Sequence, residues 1–256
     1  MVPSIVSLVR YPVKGMTPEK LQSADLEAGE GMPFDRIYAV ENGGARFDPQ
    51  NPKWLPKISF LMLMRHERFA SLTSVFNDRD HTLTLLRDGK QLAKGNLKTK
   101  LGRQMIEQFL SAYMKAELNG PPRIVSADGH RFTDISAKAV HLVNLETVRN
   151  LGDAIGLELD PLRFRANIYF DGIPAWEERK WVGETVECGE VTLSIFDETG
   201  RCEATSVDPQ TAARGASIPS ALERIWGHNK LGVYAKVVRG GRLRLGDILK
   251  SPETAS

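Results

Sequence analysis

Through the first hundred positions, apolar and polar residues alternate over short stretches that Gly and Pro interrupt at close intervals, a pattern that predicts strands. SIVSLVRYPV reads as a strand that stops near Pro12, because proline brings no N–H to a ladder. RIYAV and ISFLMLM follow as strands. TLTLLRDGKQLAKG reads as two more, joined across Asp88 and Gly89 by a tight hairpin turn. The period then changes: Leu101, Met105, Ile106, Phe109, Leu110 and Tyr113 fall on one stripe at helical spacing and predict a helix packed on a core.

The tandem prolines of NGPPR (119–123) end that helix and favour an extended crossing, dividing the chain into parts 1–118 and 119–256. Beyond them come a strand at KAVHLVN and a helix from Leu145 to Ile155 stopped by Gly156. RFRANIYF, ETVECG, EVTLSIF and EATSVD read as strands, PSALERIW as a short helix, and GVYAKVVRGGRLRLGDIL as a closing hairpin. The expected fold is mainly β in the α+β class, a barrel-like first domain followed by a β-rich second one with a few helices.

Composition narrows the function. The 256 residues are 41% hydrophobic and 26% charged, a globular balance, and the net charge of +2 weighs against nucleic acid as a partner. No run approaches the roughly 18 apolar residues of a membrane span, and the first residues lack the apolar core of a signal peptide, so a cytoplasmic, non-membrane protein is expected. Two cysteines make no disulfide framework. With no CxxC or HExxH and five scattered histidines, zinc and dithiol chemistry are not indicated, and His130 and His141 read as structural or surface residues.

The polar candidates are few. Strict alternation in RFRANIYF puts Phe164, Ala166, Ile168 and Phe170 on one face and Arg163, Arg165, Asn167 and Tyr169 on the other, a solvated face or a grip for an anion. Lys14, beside Gly15 after a proline-stopped strand, reads as a rim cation or plain surface. DGHRFTDIS adds polar groups at Asp128, His130, Arg131, Thr133, Asp134 and Ser136 in a loop entering a strand, and its hydroxyls read as turn caps or phosphate contacts. Cys188 closes a strand before Gly189 and needs only a packing role. Cys202 follows Gly200 and Arg201 and precedes EATSVDP, so it reads either as a buried structural residue or as a thiolate held among cations. Asp197 and Glu198 are the acids nearest to it in sequence.

GRCEATSVDPQT resembles the signature of the MOSC family, named for the C-terminal domain of molybdenum cofactor sulfurase: an Arg-Cys pair, then Thr, then Val-Asp-Pro. YPVKG and FDRIYAV resemble the opening of the N-terminal barrel that accompanies it, RFRANI its Arg-Phe-Arg-Pro-Asn strand, and PAWEERKW and GGRLRLGD also fit. The resemblance covers nearly the whole chain in order.

It implies two β-rich parts holding a pterin-based molybdenum cofactor (molybdopterin with Mo, and no pyridoxal phosphate) between them, as in the group of the mitochondrial amidoxime-reducing component. Carried over by position, Cys202 ligates molybdenum and is the catalytic residue, while Lys14, Ser136, Arg165, Asn167 and Arg201 hold the pterin and its phosphate. The implied activity is reduction of N-hydroxylated substrates such as amidoximes, hydroxylamines or N-hydroxylated bases. No ferredoxin-like extension follows the closing hairpin, so a separate flavin or iron–sulfur protein is the expected electron donor. The rival expectation is a sulfur or molybdenum-cofactor carrier that uses Cys202. Two departures stand out: Ala166 replaces the family's proline, and VKGMTPEK is shorter than the related loop, which carries an extra lysine, so one cationic contact is expected to be missing.

Overall fold

A computed structural model of the chain describes residues 2–44 and 46–250. Its strands are β1 (Ser4–Arg10), β2 (Glu19–Leu21), β3 (Ser23–Leu26), β4 (Ala39–Asn42), β5 (Thr73–Asn77), β6 (Thr82–Arg87), β7 (Lys90–Asn96) and β8 (Pro122–Val125). The chain goes on through β9 (Val140–Asn144), β10 (Ile168–Asp171), β11 (Thr185–Cys188), β12 (Val191–Gly200), β13 (Lys230–Arg239), β14 (Gly241–Arg244) and β15 (Leu249–Lys250). Three α-helices interrupt them: α1 (Lys100–Tyr113), α2 (Leu145–Ile155) and α3 (Ile218–Trp226). The fold is mostly β, as the pattern predicts.

Eight strands form one curled sheet in the order β15-β11-β12-β13-β9-β10-β1-β2, antiparallel except where β10 runs parallel to β9. Strand pairing crosses position 118: β1 and β2 join this sheet, β3 pairs with β14, and β4 pairs with β8. Both faces of the central strands are apolar, so each needs its own cover. Leu8, Leu142, Ile168 and Phe170 face one core with Leu193, Val233 and Trp181. Val9, Val143 and Tyr169 face the other, against Leu151 of α2 and Leu222 of α3.

The first part has a separate core, in which Ile106 and Leu110 of α1 meet Leu83 and Leu85 of the β5-β6-β7 sheet and Phe69. Side chains buried this fully contribute about 1.5–3 kcal/mol each. Local signals agree with the packing. Thr99 caps α1 by accepting from the Gly102 amide at 3.0 Å, and Asn144 caps α2 by accepting from Glu146 at 3.1 Å. Gly156 ends α2 in the left-handed region, φ 68°, as the sequence expects.

Two expected strands are absent. In ISFLMLM a 3₁₀ turn, Lys57–Ser59, is followed by a single bridge from Phe60 to Glu41 and then by turns. Phe60, Leu61, Met62 and Leu63 are all buried, so the run carries no alternating face for a sheet to use. EATSVD forms the 3₁₀ turn Glu203–Ser206, in which the Thr205 amide donates to the Cys202 carbonyl at 3.0 Å.

Candidate functional site

A cavity opens where the ends of β9, β10, β12 and β13 meet the loops around Lys14, Arg36 and Met62. Lys14, Arg165, Asn167, Arg201 and Cys202 all line it. Ser136 does not: it is exposed, and its neighbours Thr133, Asp134, Ile135 and Ala137 form that wall. Asp197 and Glu198 are also outside the lining, Glu198 being ion-paired with Arg179.

Arg165 reaches the cavity by a route that strand periodicity does not foresee. Asp160 accepts from the Leu162 amide at 2.9 Å and Pro161 starts a 3₁₀ turn, Pro161–Phe164, so the strand expected over RFRANIYF begins only at Ile168. Arg165 then takes the left-handed conformation, φ 51°, ψ 40°. Its guanidinium carbon lies 4.1 Å from the centre of the Tyr11 ring, and Nη2 donates to the Met16 carbonyl at 2.9 Å.

Arg36, also left-handed at φ 49°, approaches the same ring to 4.5 Å, ion-pairs with Asp35 and donates to the Arg165 carbonyl at 2.8 Å. Two bulky residues in this region cost of order 1–3 kcal/mol each, and such strain gathers at working sites.

Asn167 has a different task. Its Nδ2 donates to the Val9 carbonyl and its Oδ1 accepts from the His141 amide, each at 3.1 Å, so the carboxamide stitches β1 to β9 just before β10 begins. It touches the cavity but is engaged with backbone. Lys14 donates to the Phe132 carbonyl at 2.9 Å and to Asp134 at 2.5 Å. Burial lowers the pKa of Lys14 and Asp134 counters it. At Asp134 the loss of water pushes the carboxyl up, and the Lys14 ammonium overcomes this and holds it at about 2.

Arg201 is buried with the cavity on one side. Its Nη2 donates to the Phe164 carbonyl at 2.5 Å, and Nη1 to the Leu231 carbonyl at 3.3 Å and to His141 Nε2 at 3.2 Å. Burial lowers its pKa, and burial followed by the Arg201 charge drives that of His141 well below the usual imidazole value. The imidazole is therefore neutral and accepts. Arg201 Nε is buried with no hydrogen-bond partner among the described residues, and so is Thr199 Oγ1. Thr199 lines the same cavity at an irregularity in the β12–β13 ladder, between Glu198 and Gly200, where the strand can turn a side chain inward.

The cations of this wall divide into two kinds. Lys14, Arg36 and Arg163 are paired with Asp134, Asp35 and Asp208. Lys57, Arg165 and Arg201 pair with no carboxylate among the described residues; the two arginines meet carbonyls, an imidazole and the Tyr11 and Phe164 rings, so their charge faces no anion. The half-buried Cys202 is at the same cavity. The other thiol, Cys188, is enclosed in hydrocarbon, and burial, aided by Asp247, pushes it up to about 12. Among the described residues no three His, Cys, Asp or Glu side chains group to hold a metal.

The MOSC domain model matches residues 125–250, and the MOSC N-terminal beta barrel domain model matches residues 2–117. The chain belongs to the MOSC family. A molybdenum cofactor sulfurase of Caenorhabditis elegans is 23% identical over 244 residues, 91% of this MOSC chain and 33% of that protein. The molybdenum cofactor sulfurase of Bos taurus is 36% identical over 73 residues, 28% of this chain and 8% of that protein. The chain thus spans about a third or less of the curated relatives it matches.

Among solved structures, YuaD from Bacillus subtilis aligns over 97% of this chain and 94% of its own with 13% identity and a TM-score of 0.45. YiiM from Geobacillus stearothermophilus aligns over 44% and 54%, with 17% identity and a TM-score of 0.36.

The sequence of this MOSC chain gives no site signal at Asp35, Arg36 or Thr199, and His141 reads there as structural or surface. Asp35 and Arg36 stand in the quoted FDRIYAV but carry no signal for a left-handed arginine. His141 looks like any histidine in an apolar strand. The isolated hydroxyl of Thr199 depends on a ladder irregularity that exists only once β13 is paired.

Proposed function

We propose that the chain is a reductase of N-hydroxylated compounds that works with a molybdenum cofactor and takes its electrons from a separate flavin or iron–sulfur protein. The observation that carries this reading is the convergence of two uncompensated guanidinium groups, Arg165 and Arg201, with the accessible thiol of Cys202 in one cavity. The donor set fits the group. A phosphate-bearing pterin needs cations and N–H donors, and Arg201 Nε and Thr199 Oγ1 are buried without partners beside it. A metal that arrives with its own sulfur ligands needs only one further thiolate, and one cavity cysteine is what the chain offers.

In this reading Cys202 ligates the metal, Arg165 and Arg201 hold the phosphate and pterin, and Lys14 and Arg36 set the charge of the near wall. When bound, the group supplies the two-electron chemistry that removes oxygen from an N-hydroxylated nitrogen. The protein's own contribution is orientation: His141 fixes Arg201 through a neutral imidazole, Tyr11 supports Arg165 and Arg36, and Asn167 keeps β1 and β9 in register beneath them.

The names of the curated relatives support a second reading, in which Cys202 carries sulfur or passes the cofactor on. Elemental analysis and pterin fluorescence separate the two on protein made in a host that synthesises the cofactor. The reductase reading expects about one molybdenum per chain, lost in Cys202→Ser and reduced in Arg165→Ala, together with N-reductive turnover when an electron donor is supplied. A parent chain free of metal and pterin, with a labile sulfane sulfur on Cys202, overturns it in favour of the carrier.

A further inference from the structure

A second cleft lies on the other side of the wall that holds Asp35 and Arg36. The segment 34–38 turns Asp35 and Arg36 to the first cavity and Phe34, Ile37 and Tyr38 to the second cleft. The loop that follows β8 is divided in the same way: Asp128–Arg131 face the second cleft, and Thr133, Asp134, Ile135 and Ala137 the first. The Phe132 amide bonds the Arg36 carbonyl at 2.8 Å and ties the two halves of the partition together. The cleft holds about 660 Å³, within the range of small-molecule sites.

Its chemistry has two parts. One wall is aromatic: Phe34 and Tyr38 each pack edge-on against His81, and the Tyr38 hydroxyl is 2.8 Å from His81 Nδ1. Phe34 and His81 both adopt left-handed backbone, φ 60° and 59°, so strain is stored here as it is in the first cavity. The other wall is cationic, with Lys98, Arg103 and Arg131. Arg103 is spent on the Leu97 carbonyl and the Ser126 hydroxyl.

Lys98 and Arg131 pair with no carboxylate among the described residues, and Arg131 Nε is buried without a partner. Four acids stand at the rim: Glu30 is paired with Lys138 and Asp25 lies 3.9 Å from Arg242, while Glu27 and Asp128 pair with no cation among the described residues. Asp128, beside Arg131 in the same loop, is the acceptor for ring N–H groups.

We propose that this cleft is a binding site for a planar nitrogen heterocycle carrying a phosphate, of mononucleotide size. The ring stacks on the Phe34 and His81 wall, the phosphate takes Arg131 and Lys98, and Asp128 accepts from the ring. This site does not depend on the cofactor reading of the first cavity.

Calorimetric titration with adenosine monophosphate, adenosine and inorganic phosphate tests it on the full chain. Adenosine monophosphate is expected to bind the parent with sub-millimolar affinity and at least tenfold more tightly than adenosine or phosphate alone. Arg131→Ala and Lys98→Ala are expected to weaken it tenfold or more, while Arg165→Ala, in the first cavity, leaves it unchanged. Thermal melts of each variant check folding, and Lys98, exposed at a turn, serves as the second variant should Arg131→Ala unfold. No binding of any probe, affinity for phosphate equal to that for the nucleotide, or loss in Arg165→Ala but not in Arg131→Ala overturns the proposal.

Discussion

Arg201 Nη1 lies 3.2 Å from His141 Nε2, and the pairing makes a neutral imidazole the acceptor for a buried guanidinium. Protonating His141 would remove that acceptor and set two buried cations against each other. The pKa of His141 is lowered in the fold, so the unfolded chain binds the extra proton first, once pH drops below about 6.5. The stability it contributes is full above that pH and is lost as pH falls, by at most about 1.4 kcal/mol per pH unit. Urea unfolding at pH 7.5 and 5.5 should show a smaller acid loss in His141→Gln than in the parent.

Glu178 gives the opposite slope. Its carboxylate accepts from the Thr147 hydroxyl and, at 3.2 Å, from Asn144 Nδ2, yet burial outweighs these bonds and raises its pKa to about 6. The folded chain therefore holds the proton that the unfolded chain releases near 4.5. Its contribution is complete below pH 4.5 and declines by about 2 kcal/mol as pH rises to 6. Glu178→Gln, measured at pH 5 and 7, should remove that decline while leaving the His141 effect in place.

The two thiols should react at different rates. Cys202 is half-buried at the cavity, whereas Cys188 is enclosed in the core with its pKa near 12. Native protein free of ligand is expected to react with one equivalent of a thiol reagent within minutes and with a second only in denaturant. Cys202→Ser abolishes the fast phase. Two fast equivalents in the native state would contradict the packing around Cys188.

Gly102 is fixed by a close approach rather than by its dihedral angles. A Cβ there would stand 2.1 Å from the Asn96 carbonyl oxygen, where α1 crosses the end of β7. Gly102→Ala should cost about 3 kcal/mol despite alanine's better helix propensity. A melt that moves upward would show that the crossing is looser than described.

Much of the scaffold was legible in the chain. The stripe from Leu101 to Tyr113, Asn144 before α2 and Gly156 after it act through neighbours within one or two turns, so local sequence is enough. The signature around Arg201 and Cys202, with Lys14 and Arg165, pointed to residues that do line one cavity. ISFLMLM misled because a run buried on all sides has no period to read. RFRANIYF misled because Asp160 and Pro161 start a turn that overrides the alternation after them.

By itself the sequence determined the elements, the β-rich class and the set of chemically capable residues, since these follow from local propensity and patterning. Tertiary structure alone decided which cations remain unpaired. Whether an arginine meets a carboxylate depends on partners brought from distant positions: Asp208 reaches Arg163, while Arg165 and Arg201 meet carbonyls, an imidazole and aromatic rings. The same long-range pairing gave Asn167 to the backbone of β1 and β9 and turned Ser136 out to solvent, because a side chain's company is set by the strands packed against it.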